Sequence, residues 1–108
     1  MGSRNEVKDH LMQCLSALPG AYARKMFGEY GIYYCDKVVG MLCDDQLFIR
    51  PTVAGKEFLE DPQMAPPYPG AKDHFLIPED CWEDEKWLCE LFIVSEPELK
   101  VPKKRKKP

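Results

Sequence analysis

Two histidines, five cysteines and one pair of adjacent aspartates are the groups in this 108-residue chain that could serve as base, nucleophile or metal ligand. A catalytic site needs such a group beside a partner that activates it. His10 stands among charged residues and His74 between Asp73 and Phe75, far apart in sequence and outside any recognisable motif. Cys14, Cys35, Cys43, Cys81 and Cys89 follow one another at intervals of 21, 8, 38 and 8 residues, so the C-x-x-C of a zinc site or thiol oxidoreductase is absent. On one helix Cys81 and Cys89 would lie about 12 Å apart, beyond disulfide reach. The odd count, with no apolar leader or small-residue cleavage site visible at the N-terminus, points to buried thiols in a reducing cytoplasm. Asp44-Asp45 has the charge for Mg²⁺, but a hairpin turn explains it more simply, because aspartate tolerates turn geometry. Gly28 and Gly31 precede no helix and so make no phosphate cradle. These spacings predict neither a metal nor a cofactor.

Binding signals are stronger than catalytic ones. Arg24-Lys25-Met26-Phe27-Gly28-Glu29-Tyr30-Gly31-Ile32-Tyr33-Tyr34 interleaves basic and aromatic residues, as sheets that bind single strands do. A strand, a glycine turn and a second strand account for the same residues, and Arg24 and Lys25 then alternate faces. Lys100, Lys103, Lys104, Arg105, Lys106 and Lys107 hold six of the fifteen positive charges. Residues 1–99 are left with nine positive against eighteen negative charges, an acidic body that repels phosphates. The basic run over Lys103–Lys107 reads as a nuclear localisation signal, an electrostatic tether to nucleic acid, or a solubilising end. Apolar runs are only a few residues long, so no segment spans a bilayer and no membrane partner is expected.

The elements that must position these groups follow from periodicity. Residues 3–18 read as a helix with a Ser3/Glu6 capping box and an apolar stripe of Val7, Leu11, Cys14, Leu15 and Leu18. Residues 21–50 alternate in short runs broken by Gly28-Glu29, Asp36-Lys37 and Asp44-Asp45, which predicts an antiparallel meander. Thr52 caps a short helix, Val53 to Leu59, ended by Asp61-Pro62. Four prolines make residues 62–70 extended or looped, and Phe75-Leu76-Ile77 makes a further strand. Asp80 and Glu83 mark the start of a last helix with Cys81, Leu88, Leu91 and Phe92 on its stripe, closed by Pro97. The fold class is α+β, an antiparallel sheet with helices mainly on one face. One domain over 1–97 is followed by a basic, disordered tail over 98–108.

Several segments resemble the N-terminal domain of the TfoX/Sxy family. They are Arg24–Gly28, Tyr30–Tyr34, Lys37-Val38-Val39, Asp45–Thr52, and Pro67-Tyr68-Pro69-Gly70 with Phe75, in matching order and spacing over roughly residues 5–94. The resemblance implies an α-β3-α-β2-α order like that of secretion chaperones, and a bacterial cytoplasmic protein, which removes the nuclear-signal reading. Two-domain members regulate natural competence, acting with the cyclic-AMP receptor protein at promoters, and carry a second helical domain. Here a basic tail stands in that domain's place, Gly28-Glu29 replaces the Gly-Gly of many relatives, and Cys35-Asp36-Lys37 replaces Asp-Gly-Lys.

The expected function is a non-enzymatic interaction module for a protein partner in a transcription-related complex. Its surface would join the hairpin residues Arg24, Lys25, Phe27, Gly28, Tyr30, Gly31 and Tyr33 to Tyr68, Pro69 and Gly70, with Trp82 and Trp87 as further exposed aromatics. The alternatives are a nucleic-acid binder using Lys103, Lys104, Arg105, Lys106 and Lys107, and a small enzyme acting through Arg24, Asp45 or a cysteine. A homodimer would cover the open sheet's edges.

Overall fold

A computed structural model describes residues 5–26 and 29–99. The capping-box residue Ser3, the hairpin residues Phe27 and Gly28, and the tail residues Lys103, Lys104, Arg105, Lys106 and Lys107 lie outside the described residues. The chain opens with helix α1, Asn5–Cys14, which buries Val7, Leu11 and Cys14 on one stripe. The helix ends four residues earlier than the apolar spacing predicts. Tighter turns replace it, with Ser16 N–H donating to the Gln13 carbonyl and Leu18 N–H to that of Leu15, and Leu15 and Leu18 stay in the core.

Four strands follow: β1 Tyr22–Met26, β2 Glu29–Tyr34, β3 Lys37–Cys43 and β4 Gln46–Ile49. They pair as an antiparallel meander. Both of the tight turns Cys35-Asp36 and Asp44-Asp45 place two residues at positive φ, between 53° and 62°. These are the type I′ angles whose twist suits a two-residue hairpin, so Asp44-Asp45 is a turn. The family-implied order is therefore corrected to four strands before the second helix, because each short polar break closes its own hairpin.

Helix α2, Val53–Leu59, begins where Thr52 accepts a hydrogen bond from Gly55 N–H at 2.9 Å. Strand β5, Gln63–Ala65, and strand β6, His74–Ile77, complete a six-stranded sheet in the order β1-β2-β3-β4-β6-β5. The expected last helix is two. Helix α3, Glu79–Trp82, stops so that Trp82 can turn fully into the core. Helix α4, Glu85–Ser95, starts at Asp84, whose carboxylate accepts from Trp87 N–H. The N-cap is thus Asp84 rather than Asp80, because Asp84 reaches the third amide of the longer helix. A 3₁₀ turn, Glu96–Glu98, follows. No helix among the described residues is long and apolar enough to cross a membrane.

The helices cover one face. Cross-strand register puts Tyr30, Ile32, Leu42, Leu47, Ile49, Phe75 and Ile77 on it, and all are buried with Leu11, Trp82, Leu88, Leu91 and Phe92. A bulge between Ile32 and Tyr33 leaves Val39 as the extra residue of β3. A bulge reverses the facing of the residues beyond it. It sends Val39 into the core and swings Lys37 to the helical side, where its ammonium pairs with the Glu96 carboxylate.

Contacts with the fold continue past Pro97. The Glu98 carboxylate accepts from Val53 N–H at 2.8 Å and Ala54 N–H at 2.7 Å, so residues from both ends of the C-terminal half cap α2. Leu99 packs against the core.

Gly55 is the buried residue of α2. A methyl group there would stand 2.7 Å from Thr52 Oγ1, 3.0 Å from Phe75 Cε2 and 3.1 Å from Ser95 Oγ. Alanine normally stabilises a helix interior relative to glycine by about 1 kcal/mol. Gly55→Ala should instead lower stability by about 1–3 kcal/mol through overpacking, as read from urea denaturation. A more stable variant would show that α2 can lift away from β6 and α4 at no cost.

Candidate interaction face

The second face of the sheet is built from the residues that alternate with the core. Arg24, Gly31, Met41, Phe48, Leu76 and Gln63 form one row across all six strands. Tyr22 and Tyr33 form the next, with rings stacked at 5.0 Å and only 7° apart. The Tyr22 hydroxyl points to the Asp36 carboxylate at 3.4 Å. None of the described helices lies over this face. The proline-rich connection between β5 and β6 borders it instead.

That connection carries a turn, Tyr68-Pro69-Gly70-Ala71, closed by Ala71 N–H donating to the Tyr68 carbonyl at 3.1 Å. Proline second and glycine third, with Gly70 at φ 88°, make the type II turn that glycine permits without strain. Tyr68 is held beside a groove of about 620 Å³ floored by Val38 and Met41. Arg50, Lys72 and His74 line it, and among the described residues no carboxylate does. His74 Nδ1 lies 2.9 Å from the Lys72 carbonyl, which can only accept, so the proton sits on Nδ1 and Nε2 is left for another partner.

The expected surface residues divide. Arg24, Tyr68, Pro69 and Gly70 are exposed or half-exposed and belong to the groove side. Lys25 is exposed but pairs with Tyr30 and therefore faces the helical side. Tyr30 is a core residue whose hydroxyl donates to Asn5, so it offers no contact surface. Gly31 and Tyr33 are also buried, Tyr33 beneath the stack with Tyr22. The expectation that both tryptophans are exposed is corrected. Trp82 is fully buried, with its indole N–H on the Ile77 carbonyl, and Trp87 is half-buried against Phe58. Burying so large an apolar area outweighs the polar neighbours in sequence. Sequence reasoning weighed His74 only as a candidate base or ligand, and it gave Arg50, Lys72 and His74 no place on the contact surface. The alternation Phe48–Arg50 and His74–Leu76 carried the signal, but only the β4–β6 register brings the two strands side by side.

Comparison with known proteins places these features in a family. The model described as the TfoX N-terminal domain matches residues 13–96. A protein of Spirochaeta aurantia, described as an uncharacterised 12.7 kDa protein in the trpE 5′ region, is 45% identical over 82 residues, covering 76% of this chain and 70% of that one.

The thiols are free and differ in setting. Cys14, Cys43 and Cys89 are buried, whereas Cys35 is exposed on a hairpin turn and Cys81 is half-buried, so burial of all five is corrected. Burial pushes the Cys43 thiol up to about 11, helped by the negative charges of Glu29 and Asp44. Burial also raises Cys14 and Cys89, with Glu83 and Glu85 adding to the effect at Cys14. A raised value keeps the thiol protonated at neutral pH, the reverse of what a nucleophile needs. Iodoacetamide at about pH 7.5 should therefore alkylate Cys35 first in the native protein, because it is the exposed one of the five cysteines. Cys43 should react only as the pH climbs toward about 11 or on unfolding. Equal labelling of Cys35 and Cys43 by peptide mass spectrometry near neutral pH would contradict this burial.

Proposed function

From the premise that the chain belongs to the TfoX N-terminal domain family, we propose that it works as a non-enzymatic protein-interaction module whose contact surface is the helix-free face of the sheet. The observation that carries this reading is the separation of charge. The helical layer bears Glu57, Glu60, Asp61, Glu79, Asp80, Glu83, Asp84, Glu85 and Glu90, while the groove is lined by Arg50, Lys72 and His74, with no carboxylate among the described residues. A chain that is acidic overall thus keeps a local cationic groove beside an exposed tyrosine and an apolar floor. Such a groove fits an acidic protein segment with an apolar or aromatic anchor.

Other features support the same reading. The raised thiols and the turn geometry of Asp44-Asp45 supply no activated nucleophile or metal pair. Five free thiols suit a reducing bacterial cytoplasm. The likeness to secretion chaperones that the family resemblance implies, and the transcriptional role of two-domain relatives, point to a partner in a transcription-related complex. The basic tail adds long-range attraction to that acidic partner.

The direct test uses a labelled peptide rich in glutamate and tyrosine as probe. Tyr68→Ala and the double variant Arg50→Glu, Lys72→Glu should each weaken it at least about tenfold, the order expected for a central aromatic or a paired charge, with unchanged thermal stability. The affected amides should map to the groove by NMR. Unchanged affinity in both variants would refute the proposed face. Titration with DNA and RNA at two salt concentrations, on the full chain and on a chain ending at Leu99, separates the alternative. Tight binding by the shorter chain would replace the protein partner with nucleic acid, and binding lost with the tail would make the tail a tether.

A further inference from the structure

His10 and Cys14 are four residues apart on α1 and so share one helix face. Glu79 and Glu83 stand four residues apart across the short α3 and meet that face from the other side. His10 Nε2 lies 2.9 Å from Glu83 and Nδ1 lies 3.2 Å from Glu79. A ring nitrogen of His10, the Cys14 sulfur and a Glu83 oxygen all fall within 4.8 Å of one another. The edge of Trp82, with ring centroids 5.7 Å apart, fixes the imidazole plane.

This arrangement has an electrostatic gap. A neutral imidazole has one N–H and one lone pair, yet both His10 nitrogens face carboxylates. One ring lone pair would then face a carboxylate, an arrangement that a cation bound between the two relieves.

We infer that His10, Cys14 and Glu83 form a site for a zinc-class divalent cation, with Glu79 orienting the histidine from behind. Nitrogen, sulfur and carboxylate oxygen are the donors that zinc accepts in tetrahedral geometry. A carboxylate on the far nitrogen of a ligating histidine is the usual supporting partner. Bond lengths of about 2.0–2.3 Å put donors about 3.5 Å apart. The His10–Glu83 contact, 2.9 Å without an ion, therefore opens slightly on binding, and the Cys14 sulfur, within 4.8 Å of both, completes the set. The Zn–S bond forms as the Cys14 thiol proton leaves to solvent. Three protein donors leave one tetrahedral position for water. The ion ties α1 to the α3–α4 junction, two segments that are far apart in sequence. This site is on the helical layer and is independent of the proposed interaction face.

Cobalt(II) is the probe, titrated into the reduced full chain. One equivalent should produce tetrahedral visible bands and a sulfur-to-cobalt charge-transfer band, both displaced by Zn²⁺. Cys14→Ser should remove the charge-transfer band, and His10→Ala should abolish stoichiometric binding. Glu79→Gln should weaken binding about 10–100-fold, the range for a lost supporting carboxylate. Glu83→Gln changes an exposed residue and keeps the test valid if Cys14→Ser fails to fold; it should also weaken binding at least tenfold. Cys35→Ser should change nothing. Absence of the bands, or bands that survive His10→Ala and vanish with Cys35→Ser, would overturn the inference and leave an imidazolium–carboxylate cluster.

Discussion

Three residue pairs join the two halves of this molecule: Leu47 with Ile77, Phe48 with Leu76 and Ile49 with Phe75. The first four strands pair with neighbours in sequence. The β4–β6 pairing instead spans α2, β5 and the proline-rich connection, so it carries the loop-closure cost that local hairpins avoid. Its return is a continuous apolar face. Leu47, Ile49, Phe75 and Ile77 become one buried patch, and α4 covers it with Leu88, Leu91 and Phe92. The same register puts Phe48, Arg50, His74 and Leu76 together on the opposite face. Core and candidate interaction surface are therefore two sides of one pairing.

The C-terminal turn, although none of its residues is buried, is tied to this sheet through polar contacts. Thr52 and Glu98 together accept three of the amides at the start of α2, which no intrahelical carbonyl can satisfy. Lys37, turned inward by the bulge of β3, reaches both the carboxylate and, at 3.2 Å, the carbonyl of Glu96. The 3₁₀ turn after α4 is thus anchored to the first half of the sheet and to α2 at once. Ser95 is the exception in this region, a fully buried hydroxyl that has no hydrogen-bond partner among the described residues. It lies against Gly55, in the tightest contact between α2 and α4. A buried polar atom without a partner costs stability, and the close packing of the two helices around it is what offsets that cost.

Much of the architecture was legible in the chain. The meander, the Thr52 cap, the strand at Phe75 and the acidic turns all follow from alternation and turn chemistry. The misjudged places share a cause. The expected start of the last helix at Asp80 rested on one capping pattern, while Asp84 offers a second and the core draws Trp82 inward. Tyr30 and Tyr33 are both tyrosines in one strand, yet one sits under α1 and the other under Tyr22. The candidate site was legible at Arg24 and at Tyr68-Pro69-Gly70, where a Pro-Gly turn announces an exposed side chain. Arg50 comes from one segment and Lys72 and His74 from another, just as His10 and Cys14 lie on α1 and Glu79 and Glu83 at α3.

The sequence by itself determined the local elements, because helix and strand periods and turn residues act over a few neighbouring positions. It also determined the acidic body, since charge is a sum over residues. Only the tertiary structure decided which side chains share a surface. One bulge sets the facing of Lys37 and Val39, and one long-range pairing sets Arg50 beside His74. Register is fixed by burial of a whole face at once, a collective term that no short window of residues contains.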